Sequence, residues 1–167
     1  AEPDLAQSWE VSADGRQYTF VLRRGVTFHN GDAFDADDVL FTYNRSKDPK
    51  KSIHSRVLTN VADVAKLDSH TVRFTLAKPQ ASFLVKTTER ASGRALSIVS
   101  RGALESMGTV KYGLMPVGTG PFKVTKHVLG QGVVLDLPQA VDGDVLTLSG
   151  QLNPVVVAPP DAVAVEL

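Results

Sequence analysis

The chain has no cysteine among its 167 residues, which excludes disulfides, thiolate metal ligands and a cysteine nucleophile. It has no excess of charge either. Eighteen Lys and Arg balance eighteen Asp and Glu, and no stretch gathers its bases into the stripe that a phosphate backbone requires, so no nucleic-acid partner is expected. No apolar run approaches the ~20 residues of a membrane-spanning helix. The opening AEPDL carries neither the basic n-region nor the apolar h-region of an export signal, so the sequence as it stands reads as soluble and without a leader. His29, His54, His70 and His127 form no pair at i, i+3 or i, i+4, so no metal site and no cofactor are expected. The G-x-S-x-G elbow of serine hydrolases is missing. Gly118-Thr119-Gly120-Pro121 precedes a strand pattern, whereas phosphate loops open helices, and it reads as a structural turn. No repeat of fixed period is visible.

What is present suits a globular domain with a real core: 43% hydrophobic and 22% charged residues. The most legible stretch runs from Leu5 to Arg45. Trp9 and Val11 alternate with Glu10 and Ser12, Asp14-Gly15 makes a turn, and the alternation resumes with Tyr18, Phe20 and Leu22 on one face and Thr19, Val21 and Arg23 on the other. Two period-2 runs around Asp-Gly predict a hairpin with Trp9, Tyr18 and Phe20 in the core. After Asn30-Gly31 the period becomes helical. Ala36, Val39, Leu40 and Tyr43 lie at i, i+3, i+4, i+7, with Asp35 as N-cap and Asp37 and Asp38 where the helix dipole favours negative charge.

The segment PDLAQSWEVSADGRQYTFVLRRGVTFHNGDAFDADDVLFTYNR resembles the N-terminal signature of the family 5 extracellular solute-binding proteins, the peptide, dipeptide and nickel binders of ABC importers. VADVAKLDSHTVRFTLAKPQASFL and PVGTGPFKV are similar to two later landmarks of that family, so the resemblance runs to about residue 137. It implies part of a two-lobed periplasmic-binding-protein fold, and a periplasmic or extracellular membrane-anchored home. Its partners would be a peptide or other small solute and a membrane permease. Because family members are longer and have a segment before this signature, the chain is expected to be a fragment or truncated member. Residues 1–137 would be a partial solute-binding lobe and 138–167 a divergent tail.

The first helix should end near Lys47-Asp48-Pro49, with loop from Pro49 to Ser55. Val61–Leu67 and Thr71–Leu76 predict a second hairpin, ended by Pro79. A short helix is expected between Gln80 and Arg90, with Ala81, Leu84, Val85 and Thr88 on its face and Gln80 or Ser82 as cap. Ala95–Val99 reads as a strand, and Ser100 as the cap of a helix from Arg101 to Met107 that Gly108 ends. Tyr112–Gly120 reads as turns. A last hairpin follows, Phe122–Lys126 with Val133–Leu137, and short strands are expected at Val145–Leu148, Val155–Val157 and Val163–Val165. The fold class is α+β: a mixed or antiparallel sheet of hairpins with a few short helices.

The candidate ligand-binding residues are Arg90 and Arg94, in the loop Glu89-Arg90-Ala91-Ser92-Gly93-Arg94. In the family the corresponding connection passes near the cleft between lobes, and two guanidinium forks there suit a carboxylate such as a peptide C-terminus. The competing reading is a solvated loop with ordinary surface charge. The function expected is capture of peptides, or secondarily nickel complexes, for an ABC importer, without catalysis. Two alternatives stand beside it: a truncated scaffold or a remnant self-associating through exposed edges, and a hydrolase drawing on His29, Asp35, Asp38 and serines.

Overall fold

In the computed structural model, which describes residues 4–87, 96–129 and 132–136 and the backbone of 155–157 and 162–165, the Asp14-Gly15 turn joins strands β1 (Ala6–Val11) and β2 (Gln17–Leu22). Gly15 takes φ +66°, where a Cβ is disfavoured. The turn is closed by the Ser12 hydroxyl, which donates to Asp14 Oδ1 at 2.5 Å and accepts from the Gln17 amide at 2.9 Å. The second hairpin is β3 (Val61–Asp68) with β4 (Thr71–Leu76), and β4 pairs with β2, giving an antiparallel sheet of order β1-β2-β4-β3. Helix α1 (Ala36–Lys47) packs on β3 and β4.

Strand alternation and helical period meet in one core. Tyr18 and Leu22 from β2, Val72, Phe74 and Leu76 from β4, Val61 from β3 and Ala36, Val39 and Tyr43 from α1 are all buried. Phe74 is the hub, with the rings of Phe20 at 5.7 Å, Tyr43 at 5.9 Å and Phe83 at 5.7 Å, all edge-on or tilted as ring quadrupoles prefer. Phe28 and Phe34, from the chain between β2 and α1, form a second edge-on pair at 6.1 Å.

Several expectations need correction. Trp9 and Phe20 are half-buried rather than core residues, and Val11 is 46% exposed: all three share the face of Tyr18 and Phe74, but β1 is the edge strand and α1 packs over β3 and β4, at the far end of that face. In α1, Thr42 and Asp38 are buried and Leu40 only half so. Residues Ser55–Leu58 make a turn of 3₁₀ helix that buries Leu58. Helix α2 (Phe83–Thr87) turns inward on Phe83 rather than on Ala81, Leu84 and Val85, and Val85 is 54% exposed. Residues 97–100 form no strand: the Val99 amide goes to a side chain, not to a ladder.

The chain divides into two compact units, Ala1–Arg101 and Gly102–Leu167. Helix α3 (Arg101–Met107) ends at Gly108, φ +77°, and a further helix α4 (Thr109–Leu114) follows, its last residues lying in the Tyr112–Gly120 stretch read as turns. Its Tyr112 is buried and donates its hydroxyl to the Val117 carbonyl. Strands β5 (Lys123–Val128) and β6 (Gly132–Asp136) form the expected hairpin. Beyond them, β7 (Val155–Val157) and β8 (Ala162–Val165) complete an antiparallel sheet of order β5-β6-β8-β7. The strand expected at 145–148 lies outside the described residues.

Candidate functional site

Arg90 and Arg94 lie outside the described residues; the chain on either side of them makes specific contacts. Upstream, the Gln80 carbonyl accepts both the Tyr18 hydroxyl at 3.0 Å and the Phe83 amide at 3.0 Å. The Phe83 ring, 4% exposed, stands 4.7 Å from that of Tyr18. This end of the connection is therefore anchored by apolar ring packing on β2 and β4.

Downstream the anchor is polar. Three consecutive residues are each held by a side chain from residues 32–42: the Val99 amide donates to Thr42 Oγ1 at 3.1 Å, the Ser100 hydroxyl to Asp32 Oδ2 at 3.3 Å, and the Arg101 amide to Asp38 Oδ1 at 2.9 Å. The other Asp38 oxygen accepts the Asp35 amide at 3.2 Å, closing a capping box in which Asp35 Oδ1 takes the Asp37 amide at 2.8 Å. Asp38, Thr42 and Ser100 are buried. Burial pushes the Asp38 carboxyl above its ordinary range, helped by the nearby Asp35 and Asp32 charges and opposed by the two amide hydrogen bonds.

Of the residues in the hydrolase alternative, Asp35 accepts a backbone amide through Oδ1 and Asp38 accepts one through each carboxylate oxygen, the work of a cap and a tether. His29 sits half-buried in the turn before Gly31. Ser69 meets His70 Nδ1 at 2.9 Å in the β3–β4 turn, but Asp68 accepts the His70 backbone amide instead of orienting its ring, so no relay of acid, base and nucleophile is built there. Among the described residues no group of three or more His, Cys, Asp or Glu could hold a metal ion, and no helix is long and apolar enough to cross a membrane.

Reading the sequence missed Asp32, Thr42 and the second role of Asp38. One signal was available: Asp38 and Thr42 are i, i+4 on α1, on the buried side of the stripe that contains Val39 and Tyr43.

Residues 1–137 match the family described as bacterial extracellular solute-binding proteins, family 5 Middle. The chain is 38% identical over 144 residues to di/tripeptide-binding protein 2 of Pseudomonas aeruginosa, covering 75% of this chain and 27% of that protein. It is 35% identical over 147 residues to the dipeptide-binding protein of Escherichia coli, with 75% and 27% covered. Among solved structures, the periplasmic binding protein DppA from Helicobacter pylori in complex with the peptide STSA superposes with a TM-score of 0.68 at 34% identity, over 86% of this chain and 31% of that one. NikZ from Campylobacter jejuni in complex with Ni(L-His) gives 0.69 at 35% identity, over 81% and 27%. The fold and sequence are those of one part of the periplasmic-type solute-binding proteins. The chain belongs to family 5 of the bacterial extracellular solute-binding proteins, and it spans about 27% of the length of the curated relatives above.

Proposed function

We propose that this chain contributes to the solute-recognition surface of a periplasmic binding component that delivers peptides to the membrane permease of an ABC importer. The observation that carries the reading is the family match over residues 1–137, together with 34–39% identity to di/tripeptide- and dipeptide-binding proteins. Within it, residues 1–137 are the family-like part and 138–167 a divergent tail. Arg90 and Arg94 supply the cationic forks for a solute carboxylate. The chain binds and hands over its solute without transforming it.

A second solute class, a nickel complex with an amino acid, is favoured by the likeness to NikZ with Ni(L-His). Such a complex offers the same carboxylate chemistry to an arginine fork. Self-association through sheet edges finds no support in β3: it carries Asp63, Lys66 and Asp68 and two register irregularities, features that oppose edge-to-edge pairing.

The test is an amide NMR titration of the full 167-residue chain with a dipeptide and, separately, with a nickel–histidine complex. One wall of a site buries little of a ligand, so a saturable response centred on Arg90 and Arg94 with a Kd on the order of 1 mM is expected. Responses to neither compound, or responses confined to residues far from both arginines, would overturn the assignment.

A further inference from the structure

Charge cancels over the whole chain but not locally. Between Asn44 and Ala62 lie five of the eighteen Lys and Arg (Arg45, Lys47, Lys50, Lys51 and Arg56) and one of the eighteen Asp and Glu, Asp48, so the remainder carries thirteen bases against seventeen acids. The five bases fall on the end of α1, the turn after it and the 3₁₀ helix Ser55–Leu58. Asp48 offsets them little: its Oδ1 accepts the Lys50 amide at 2.9 Å, and its Oδ2 stands 3.6 Å from Lys51 Nζ in a solvated pair. Lys47 is taken up by the fold, its Nζ donating to the Val61 carbonyl at 3.4 Å and lying 5.4 Å from the centre of the Tyr43 ring. Among the described residues no carboxylate forms an ion pair with Arg45, Lys50 or Arg56. Amid these cations Ile53 is 90% exposed. The turn that presents it is closed on both sides by hydrogen bonds: the Lys51 and Ser52 amides donate to the Asp48 carbonyl at 3.0 and 2.9 Å, the His54 amide to Ser52 Oγ at 3.1 Å, and the Val57 amide to the His54 carbonyl at 2.9 Å.

We propose that this basic turn, with Ile53 at its tip, is a contact site for an anionic lipid surface. Such a surface offers both things the turn lacks: negative headgroups for Arg45, Lys50, Lys51 and Arg56, and an acyl boundary that takes an apolar side chain out of water. An isoleucine 90% exposed lines no groove, so it suits a broad counter-surface rather than an enclosed peptide. A short patch with an apolar tip also differs from the extended stripe that tracks a nucleic-acid backbone. The rest of the chain, with seventeen acids to thirteen bases, is repelled by the same surface, so the charge distribution orients the molecule with this turn toward lipid. One apolar side chain and a few cations give reversible, peripheral attachment. The contact is independent of solute capture and of Arg90 and Arg94.

The experiment is co-sedimentation of the full 167-residue chain with vesicles of phosphatidylcholine alone, or of phosphatidylcholine and phosphatidylglycerol in equal parts. The parent is expected to bind the anionic vesicles and not the neutral ones, and to bind less as salt is raised. Each lysine near such a surface is worth about a fivefold change in partition, so Lys50→Gln with Lys51→Gln should weaken binding about twentyfold. Ile53→Ser keeps every charge and should weaken it about fivefold. Lys111→Gln with Lys123→Gln removes the same charge from exposed positions of the second unit and should bind as the parent does. All five positions are exposed, so thermal midpoints should stay parental. A parent that binds neither vesicle or both alike, parental binding by the Lys50 and Lys51 double variant or by Ile53→Ser, or equal weakening by the two double variants would each overturn the proposal. Binding to polyglutamate without binding to vesicles would assign the turn to an acidic polypeptide and overturn it as well.

Discussion

The Asp38 carboxylate receives the backbone N–H of Arg101 at 2.9 Å, across 63 positions of sequence, while its second oxygen serves the Asp35 amide at the start of its own helix. Both partners are donors, so both oxygens must be acceptors. An asparagine has one acceptor and would turn its NH₂ toward one of the two amides. Asp38→Asn is therefore expected to cost about 1–3 kcal/mol at neutral pH despite its near-identical shape, as a buried amide loses its partner. Urea unfolding measures this, and a variant as stable as the parent would show that one of the two bonds contributes nothing.

Asp35→Ala removes only a cap. The Asp35 side chain accepts the Asp37 amide at 2.8 Å in a half-buried setting, so the expected loss is ~1 kcal/mol with no change in the dipeptide titration of the folded chain. A parental denaturation midpoint, or a change in binding at equal stability, would contradict the assignment.

Much of this architecture was legible because local and tertiary preferences agree. Asp14-Gly15 between alternating runs, Asp35 ahead of a helical stripe, and Val72, Phe74 and Leu76 against Arg73 and Thr75 all became the elements their patterns predict. What was illegible depended on long-range partners. Ala95–Val99 has strand composition, but the Val99 amide is satisfied by Thr42. Phe83 lies off the stripe expected for α2 and is drawn inward by Tyr18 and Phe74. Asp38 reads as a dipole residue until the distant Arg101 amide is seen to reach it. The two arginines were suggested by family likeness and loop composition, whereas the residues gripping the exit of their connection could be found only in three dimensions.

The aromatic cluster gives a graded series. Phe74 is 3% exposed and touches three rings, so Phe74→Ala is expected to cost about 3–5 kcal/mol. Phe20 is half-buried and meets Phe74 edge-on, so Phe20→Ala should cost roughly half as much. Thr19→Ala, on the other face, loses a 3.3 Å hydrogen bond from Arg73 Nε and should cost about 0.5 kcal/mol. Equal losses at positions 19 and 20 would mean that the β2 register is different.

Two glycines should respond to alanine with opposite sign. Gly15 has φ +66°, and a Cβ there would lie 3.5 Å from Pro79 Cβ, an ordinary contact; the cost is conformational and about 1 kcal/mol. Gly113, inside α4, has no atom within 4 Å of a built Cβ and no positive φ, so Gly113→Ala should stabilise by up to about 0.5 kcal/mol. Thermal midpoints that move in the same direction for both would contradict these backbone assignments.

Aspartates give the stability of the first unit opposing pH slopes. Hydrogen bonds, first from the Ser12 hydroxyl, hold the Asp14 carboxyl below its ordinary range, and the His70 amide does the same first for Asp68. Their contributions are present above the ordinary aspartate value of about 3.9 and are lost as pH falls through the depressed folded values. Asp38 runs the other way. Burial raises its folded value, so the folded state binds the proton more readily than the unfolded chain, and this contribution is present at low pH and lost as pH rises through the raised value. The stability advantage of the parent over Asp38→Asn should accordingly be largest at about pH 3 and shrink as pH climbs from about 3.9 toward neutrality. Against Ser12→Ala the parent's advantage should instead be largest near neutrality and shrink in acid. Urea midpoints taken from about pH 2.5 to 6.5 compare the three proteins directly. Curves for Asp38→Asn that run parallel to the parent throughout would mean that the Asp38 carboxyl titrates as it does in the unfolded chain, and that its two amide bonds fully offset its burial.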